Sequence, residues 1–320
     1  MEGAAEASDP GDRSVRIAIM GSGGVGGYVG GRLAAAGADV TFIARGAHLA
    51  AIREKGLRVT STLGDVALRP AQAHDDPAAV GPVDLVIFAV KLYDTEAAAA
   101  AIAPLIGPQT GVVTFQNGVD APEILARVLG AAHVIGGVAK IAAVVAEPGV
   151  IRHTGTMAAF VFGEPDGAKS TRVEALAEAC AAAALDHEVS ADIWRDVWDK
   201  MAFLATFAGL TSLLRLPIGP IRKDPDTRAM LRAGLEEAFA VARARGVGLP
   251  GDFVERTLAH CDRLPFEMKS SMLQDLERGR RLELPWLSGT IARLGGELGV
   301  ATPTHAFITT ALKLHVDGRG

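Results

Sequence analysis

The sequence predicts an α/β protein, with a doubly wound sheet in its N-terminal part and an all-α C-terminal domain. Three observations lead there. Short apolar runs alternate with helical stretches up to about residue 190. The first of these runs ends in glycines spaced G-x-G-x-x-G, and beyond residue 190 strand signals give way to a succession of helical stretches.

The first element, residues 17–20, is apolar and leads directly into Gly21-Ser22-Gly23-Gly24-Val25-Gly26. In this spacing Gly21 turns the chain out of a buried strand, Gly23 lets backbone approach a pyrophosphate, and Gly26 allows the next helix to pack closely on the strand. The N-terminus of that helix faces the phosphates. Glycine supplies 37 of 320 residues, so the spacing alone is weak. Its position between a strand and a glycine- and alanine-rich helix at 25–36 is what makes it a Rossmann-type signal, with a plain glycine-rich turn as the alternative. Residues 39–44 form the second strand, which ends in Ala44-Arg45-Gly46. An acidic residue at this strand end would accept hydrogen bonds from a ribose 2′-hydroxyl, but Asp39 stands at the opposite end and Arg45 stands where a guanidinium pairs with a 2′-phosphate. NADPH is favoured over NADH, and a solvated loop cation is the other reading of Arg45.

Further along, 48–55 reads as a short helix and 57–68 as a hairpin turning at Leu63-Gly64-Asp65. Residues 84–90 form a buried strand leading to Lys91, 96–103 a helix, and 111–115 a strand ending in Gln116-Asn117-Gly118, with a helix from about Pro122. Arg45, Lys91 and Asn117 thus all follow strands at the edge where open parallel sheets bind ligands. Residues 134–145 and 149–162 read as β segments around Glu147-Pro148-Gly149 that close the sheet with mixed pairing, and His153 reads as a satisfied surface histidine. The helical stretches are 194–214, 225–245, 252–260, 266–280, 287–298 and 304–315. The chain divides into a tail expected to be disordered over 1–14, a dinucleotide-binding domain over 15–190, and a helical substrate and catalytic domain over 191–320.

Composition narrows the function classes. The chain is 49% hydrophobic and 22% charged with a formal net charge of -5, and no basic run is interleaved with aromatics, which argues against a nucleic-acid partner. Cys180 and Cys261 stand apart, without a metal-ligand or disulfide pattern, and read as core residues. No metal site is expected. The tail lacks the apolar segment of a signal peptide and no long apolar span follows, so the expected location is the cytoplasm, away from membranes.

The chemistry-bearing candidates lie in the second half. Lys200 ends Ile193-Trp-Arg-Asp-Val-Trp-Asp-Lys200, and residues 201–214 carry no charge. A lysine at the edge of a buried helix is desolvated, its pKa falls, and it can deliver a proton to a carbonyl oxygen as hydride arrives at carbon. The competing reading is an ion pair with Asp196 one turn earlier. Ser271 suits a hydrogen bond to a carboxylate, or simply a helix surface. Glu283, before apolar Leu284-Pro285-Trp286-Leu287, suits substrate or ribose hydroxyls, or a helix cap.

Taken together, Gly21–Gly26, Phe88-Ala-Val-Lys91, Gln116-Asn117-Gly118, Gly136-Gly137 with Pro148-Gly149, Trp198-Asp-Lys200, and Ser270-Ser-Met-Leu-Gln-Asp275 leading to Glu283 resemble the ketopantoate reductase (2-dehydropantoate 2-reductase) family. The resemblance covers nearly the whole chain after the tail. It implies NADPH-dependent reduction of a ketone in pantothenate biosynthesis, with Lys200 as general acid and Asn117 between nicotinamide ribose and substrate. It further implies Ser271 on the substrate carboxylate, Glu283 near ribose and substrate hydroxyls, and Ala142 as a backbone neighbour of the cofactor. A homodimer formed through the helical domain is compatible with this reading. One departure stands out: Leu204 and Ala208 occupy positions where the family carries asparagines that hold the substrate's hydroxyl end, and Ser288 stands where it tends to carry another. Thr206, Thr211 and Ser212 are the candidate substitutes. Three readings follow: the reductase with rebuilt hydroxyl contacts, a same-fold enzyme for a more apolar 2-oxo or 2-hydroxy acid, and a non-catalytic NADP-binding sensor. Retention of Lys200, Asn117, Ser271 and Glu283 argues against the sensor.

Overall fold

The chain alternates strand and helix through β1 (Arg16–Met20), α1 (Gly24–Ala35), β2 (Asp39–Ile43), α2 (Gly46–Lys55), the hairpin β3 (Leu57–Thr60) and β4 (Val66–Leu68), and β5 (Gln72–His74). It continues through β6 (Val83–Phe88), α3 (Thr95–Ala101), β7 (Ile106–Thr114), α4 (Asp120–Leu129), β8 (Val134–Glu147), β9 (Val150–Gly163), α5 (Thr171–Ala182) and β10 (Asp186–Val189). This architecture comes from a computed structural model that describes residues 15–319, so the tail expected over 1–14 lies outside the described residues.

Strands β5-β2-β1-β6-β7-β8 lie side by side and parallel. The strand order reverses between β1 and β6, which opens a crevice at the carboxyl edge of the sheet. Both faces of the sheet are covered, as near-continuous apolar strands require. Along β1, Ile17 and Ile19 pack with Tyr28 and Leu33 of α1 and Leu176 of α5, whereas Ala18 and Met20 pack with Ala98 of α3 and Leu125 of α4. Beyond β8 the pairing turns antiparallel to β9, whose far edge carries the β3–β4 hairpin and β10, so the sheet closes with the expected mixed pairing.

After β10 the described chain is helical: α6 (Ile193–Leu214), α7 (Ile218–Lys223), α8 (Pro225–Ala244), α9 (Phe253–Arg263), α10 (Ser271–Glu277), α11 (Ser288–Leu298) and α12 (Pro303–Leu312). Asp192 caps the first of these by accepting from the Arg195 N–H. The uncharged run of α6 is the axis of the helical core, packed against α8, α10, α11 and α12 and, at its N-terminal end, against β8.

Two expectations need correction. The helix expected over 266–280 is only α10, because the buried Ser270 side chain accepts from the Leu273 N–H and starts a helix there. The residues before it are a connecting turn whose carbonyls at Phe266 and Met268 accept from Gly219 and Ile218 of α7. His153 is not on the surface. It is 3% exposed, tilted against the Tyr28 ring, and bonded to Ser61 Oγ and the Met157 carbonyl. It is satisfied, as expected, but by pairing that spans 92 residues of sequence. Cys180 and Cys261 are both buried thiols, and burial raises their pKa to about 12 and about 11.

Candidate active site

The glycine loop lies at the crevice between β1 and β6. Gly21 has φ +93, and a Cβ there would lie 2.7 Å from the Val90 N on the β6 side of the crevice. A side chain at Gly26 would meet the Gly21 carbonyl at 2.3 Å and Ile19 at 2.9 Å, so close helix–strand packing requires its absence. Around Gly23, by contrast, a Cβ would meet nothing within 4 Å. Open space at the second glycine, directly before the amides of α1, fits a pyrophosphate. The Ser22 Oγ is engaged elsewhere, donating to the Ile43 carbonyl, and Val25 packs against the core formed with β1 and α1. Ala142 lies on the β8 arm beside the loop, where the next carbonyl, Ala143 O, would stand 2.1 Å from a Cβ on Gly24.

The strand-end residues occupy the same edge. Arg45 is exposed and precedes α2 at its N-cap position, with no side-chain capping bond, while Asp39 lies at the other end of β2, 3.7 Å from Arg16. Gln116, which the sequence marks only as part of the strand end Gln116-Asn117-Gly118 and gives no role, ties two of the edge loops together. Its Nε2 donates to the Val90 carbonyl at 2.9 Å and to Thr95 Oγ1 at 2.8 Å, beneath the loops that carry Lys91 and Asn117.

Residues from the helical part meet this edge. Lys200, partly buried on the second turn of α6, donates through Nζ to Asn117 Oδ1 at 2.8 Å and to the Ala139 carbonyl at 2.7 Å. The ion pair with Asp196 is not the arrangement found, because Asp196 accepts instead from Ser190. Burial pushes the Lys200 ammonium down to about 8, against the opposing pull of Glu283 and with Lys140 adding to the fall. Glu283, 7% exposed, accepts from the Leu92 N–H at 3.2 Å and lies 3.7 Å from Lys91 Nζ. It stands before a short 3-10 turn but makes no capping bond with its side chain. Lys91 also donates to Asp275 of α10 at 3.1 Å. Burial alone would lower the Lys91 pKa, but the carboxylates of Glu283 and Asp275 outweigh it and hold the group above its ordinary value. Asp275 as the partner of Lys91 was not anticipated, because 184 residues separate the two.

Ser271 is the exposed first residue of α10. Its neighbour Ser270 is turned inward to Thr211 Oγ1 of α6 at 2.8 Å, so the α6 face that runs from Lys200 toward Thr211 approaches the start of α10. Leu204, one turn beyond Lys200, is partly buried and Ala208 is 1% exposed. Of the candidate hydroxyl substitutes, Thr206 bonds the Ala202 carbonyl and packs against Gly234 of α8, Thr211 is held by Phe207 and Ser270, and Ser212 is fully buried with its Oγ unpartnered. Ser288 donates to the Ala205 carbonyl inside the helical core.

A glycine-loop edge of a doubly wound sheet, faced by a desolvated lysine and a buried carboxylate from an appended helical domain, defines an oxidoreductase of the dinucleotide-binding class. Residues 17–167 match the model of ketopantoate reductase PanE/ApbA and residues 192–316 that of its C-terminal part. The chain belongs to this family and is an oxidoreductase acting on a CH–OH group. It is 36% identical over 311 residues to the 2-dehydropantoate 2-reductase of Mesorhizobium japonicum, covering 91% of this chain and 94% of that relative. A PanE/ApbA family ketopantoate reductase from Ralstonia eutropha JMP134 superposes with a TM-score of 0.86 at 36% identity, covering 94% of this chain and 98% of the other. A D-mandelate dehydrogenase in complex with NADH superposes with a TM-score of 0.83 at 25% identity over 93% of this chain and 98% of the other. Among the described residues, no helix is long and apolar enough to cross a membrane.

Proposed function

We propose that this protein reduces the ketone of 2-dehydropantoate to the hydroxyl of pantoate with NADPH, in the cytoplasm, as a step of pantothenate biosynthesis. The observation that carries the reading is Lys200, a partly buried ammonium pinned between Asn117 and the Ala139 carbonyl at the sheet edge. The cofactor held by the Gly21–Gly26 loop would, when bound, supply a hydride for the carbonyl carbon. Lys200 Nζ gives a proton to the carbonyl oxygen, which becomes the hydroxyl, and its lowered pKa matches that task near neutral pH. Asn117 orients the ammonium, Ser271 takes the substrate carboxylate, and Glu283 holds hydroxyls of the ribose or the substrate. The Gly21–Gly26 backbone cradles the pyrophosphate, with Ala142 and Lys91 beside it. Arg45 supports the choice of NADPH, since a planar cation at the end of β2 suits a 2′-phosphate. The division of labour falls near residue 190, cofactor before it and substrate after it, and homodimerisation belongs to the same proposal.

Leu204 and Ala208 favour a second reading, in which the substrate is a 2-oxo acid with an apolar side chain. A wall without hydrogen-bonding groups does not compensate a hydroxyl for lost water, and the likeness to a D-mandelate dehydrogenase supports this option. Replacing Lys200 tests the chemistry common to both readings. With Lys200→Ala, turnover falls by a factor of about 100 or more while NADPH affinity, read by fluorescence, stays near that of the parent. Unchanged turnover removes Lys200 from the mechanism.

A further inference from the structure

We infer that His48 is a positioning residue for dinucleotide binding: it anchors the Ser22 carbonyl and so aims the Gly23 N–H of the glycine loop into the phosphate crevice. This rests on the reading that the Gly21–Gly26 loop holds the cofactor's pyrophosphate.

His48 lies on the first turn of α2 and is partly buried. Its Nδ1 accepts from the Gly149 N–H at 3.0 Å, at the turn between β8 and β9. With Nδ1 an acceptor, the neutral ring carries its proton on Nε2, which donates to the Ser22 carbonyl at 2.8 Å. Burial lowers the pKa of the ring, in keeping with this neutral tautomer. Across a trans peptide, C=O and N–H point in opposite directions, so holding the Ser22 carbonyl fixes where the Gly23 N–H points. That direction leads away from His48, at a glycine where an added Cβ would meet nothing within 4 Å. Ser22 is held besides by its own N–H and Oγ, both donating to Ile43, but neither of these constrains its carbonyl. His48 therefore joins three elements at the cradle: α2, the glycine loop and the β8–β9 turn.

Two near-isosteric changes separate the two bonds. His48→Gln places an amide donor near the position of Nε2 and keeps the bond to Ser22, whereas His48→Asn places an acceptor near the position of Nδ1 and keeps only the bond to Gly149. Dissociation constants for NADPH are read by cofactor fluorescence on each purified variant, beside melting temperatures without cofactor and kcat at saturating cofactor. The expected result is a rise of about three- to tenfold in Kd for His48→Asn, little change for His48→Gln, and kcat near the parent value for both. Equal Kd for His48→Asn and the parent overturns the inference, as does an equal loss in both variants that follows their melting temperatures. Should either variant fail to fold, His48→Ala takes its place, with a Kd at least as raised as that expected for His48→Asn, and an unchanged Kd again overturns the role. If the parent itself does not bind NADPH, the cofactor reading fails and the inference falls with it.

Discussion

At the scale of single residues, Lys200 shows how position and environment combine. Its place at the start of an uncharged helix is visible in the chain, and so is the desolvation that follows. Its partners are not, because Asn117 and the Ala139 carbonyl lie 83 and 61 residues away. If Lys200 is the proton donor, as proposed, it must be charged, so kcat/KM for ketone reduction is expected to decline as pH rises through about 8, where burial places the loss of its proton. The reverse oxidation needs the neutral amine as base and rises over the same interval. Profiles of both directions on one preparation check this, and a reduction profile flat across that interval contradicts it. For Glu283 the sequence allows a cap or a site residue, and the fold gives its carboxylate to the Leu92 N–H and the Lys91 ammonium.

At the scale of elements, legibility follows the range of the interactions that define each one. The strand and glycine loop of β1 and the first turn of α6 rest on neighbours in sequence, and their limits fall within a residue or two of those expected. The short strands β5 and β10 and the helices α5 and α7 are not among the elements expected from the sequence. The two strands are held by long-range parallel pairing to β2 and β9, with no apolar run of their own. The helix expected from residue 266 starts only at Ser271, because the carbonyls of Phe266 and Met268 are taken by α7 in a connecting turn and the cap is Ser270, long-range bonds that the local sequence does not carry. A comparable device begins α12. Glu237 of α8, 8% exposed, accepts from the backbone N–H groups of Thr304 at 2.8 Å and His305 at 3.0 Å. Glu237→Ala leaves the buried His305 N–H and the half-buried Thr304 N–H unpaired and should lower unfolding stability by about 1–3 kcal/mol, read as a lower denaturant midpoint with NADPH affinity unchanged. An unaltered midpoint shows that water satisfies those amides.

At the scale of the molecule, the site belongs to neither half alone. Lys91 at the sheet edge reaches Asp275 and Glu283 of the helical half, and Lys200 of that half reaches back to Asn117. The sheet supplies a cradle common to dinucleotide-binding folds, while in the proposed function the face of α6 between Lys200 and the start of α10 is the surface that would select the substrate. That surface carries Leu204 and Ala208, and the hydroxyls of Thr206 and Thr211 are spent inside the helical core. The measurement that tests the central claim most directly is kcat/KM for NADPH-dependent reduction of 2-dehydropantoate beside unhydroxylated branched and aromatic 2-oxo acids. The account predicts turnover that depends on Lys200 and is highest with 2-dehydropantoate, its hydroxyl met by Glu283 or Asn117. Higher kcat/KM for an apolar 2-oxo acid would transfer the same mechanism to the second reading, and no reduction of any member of the panel would contradict the assignment of this site as a carbonyl reductase.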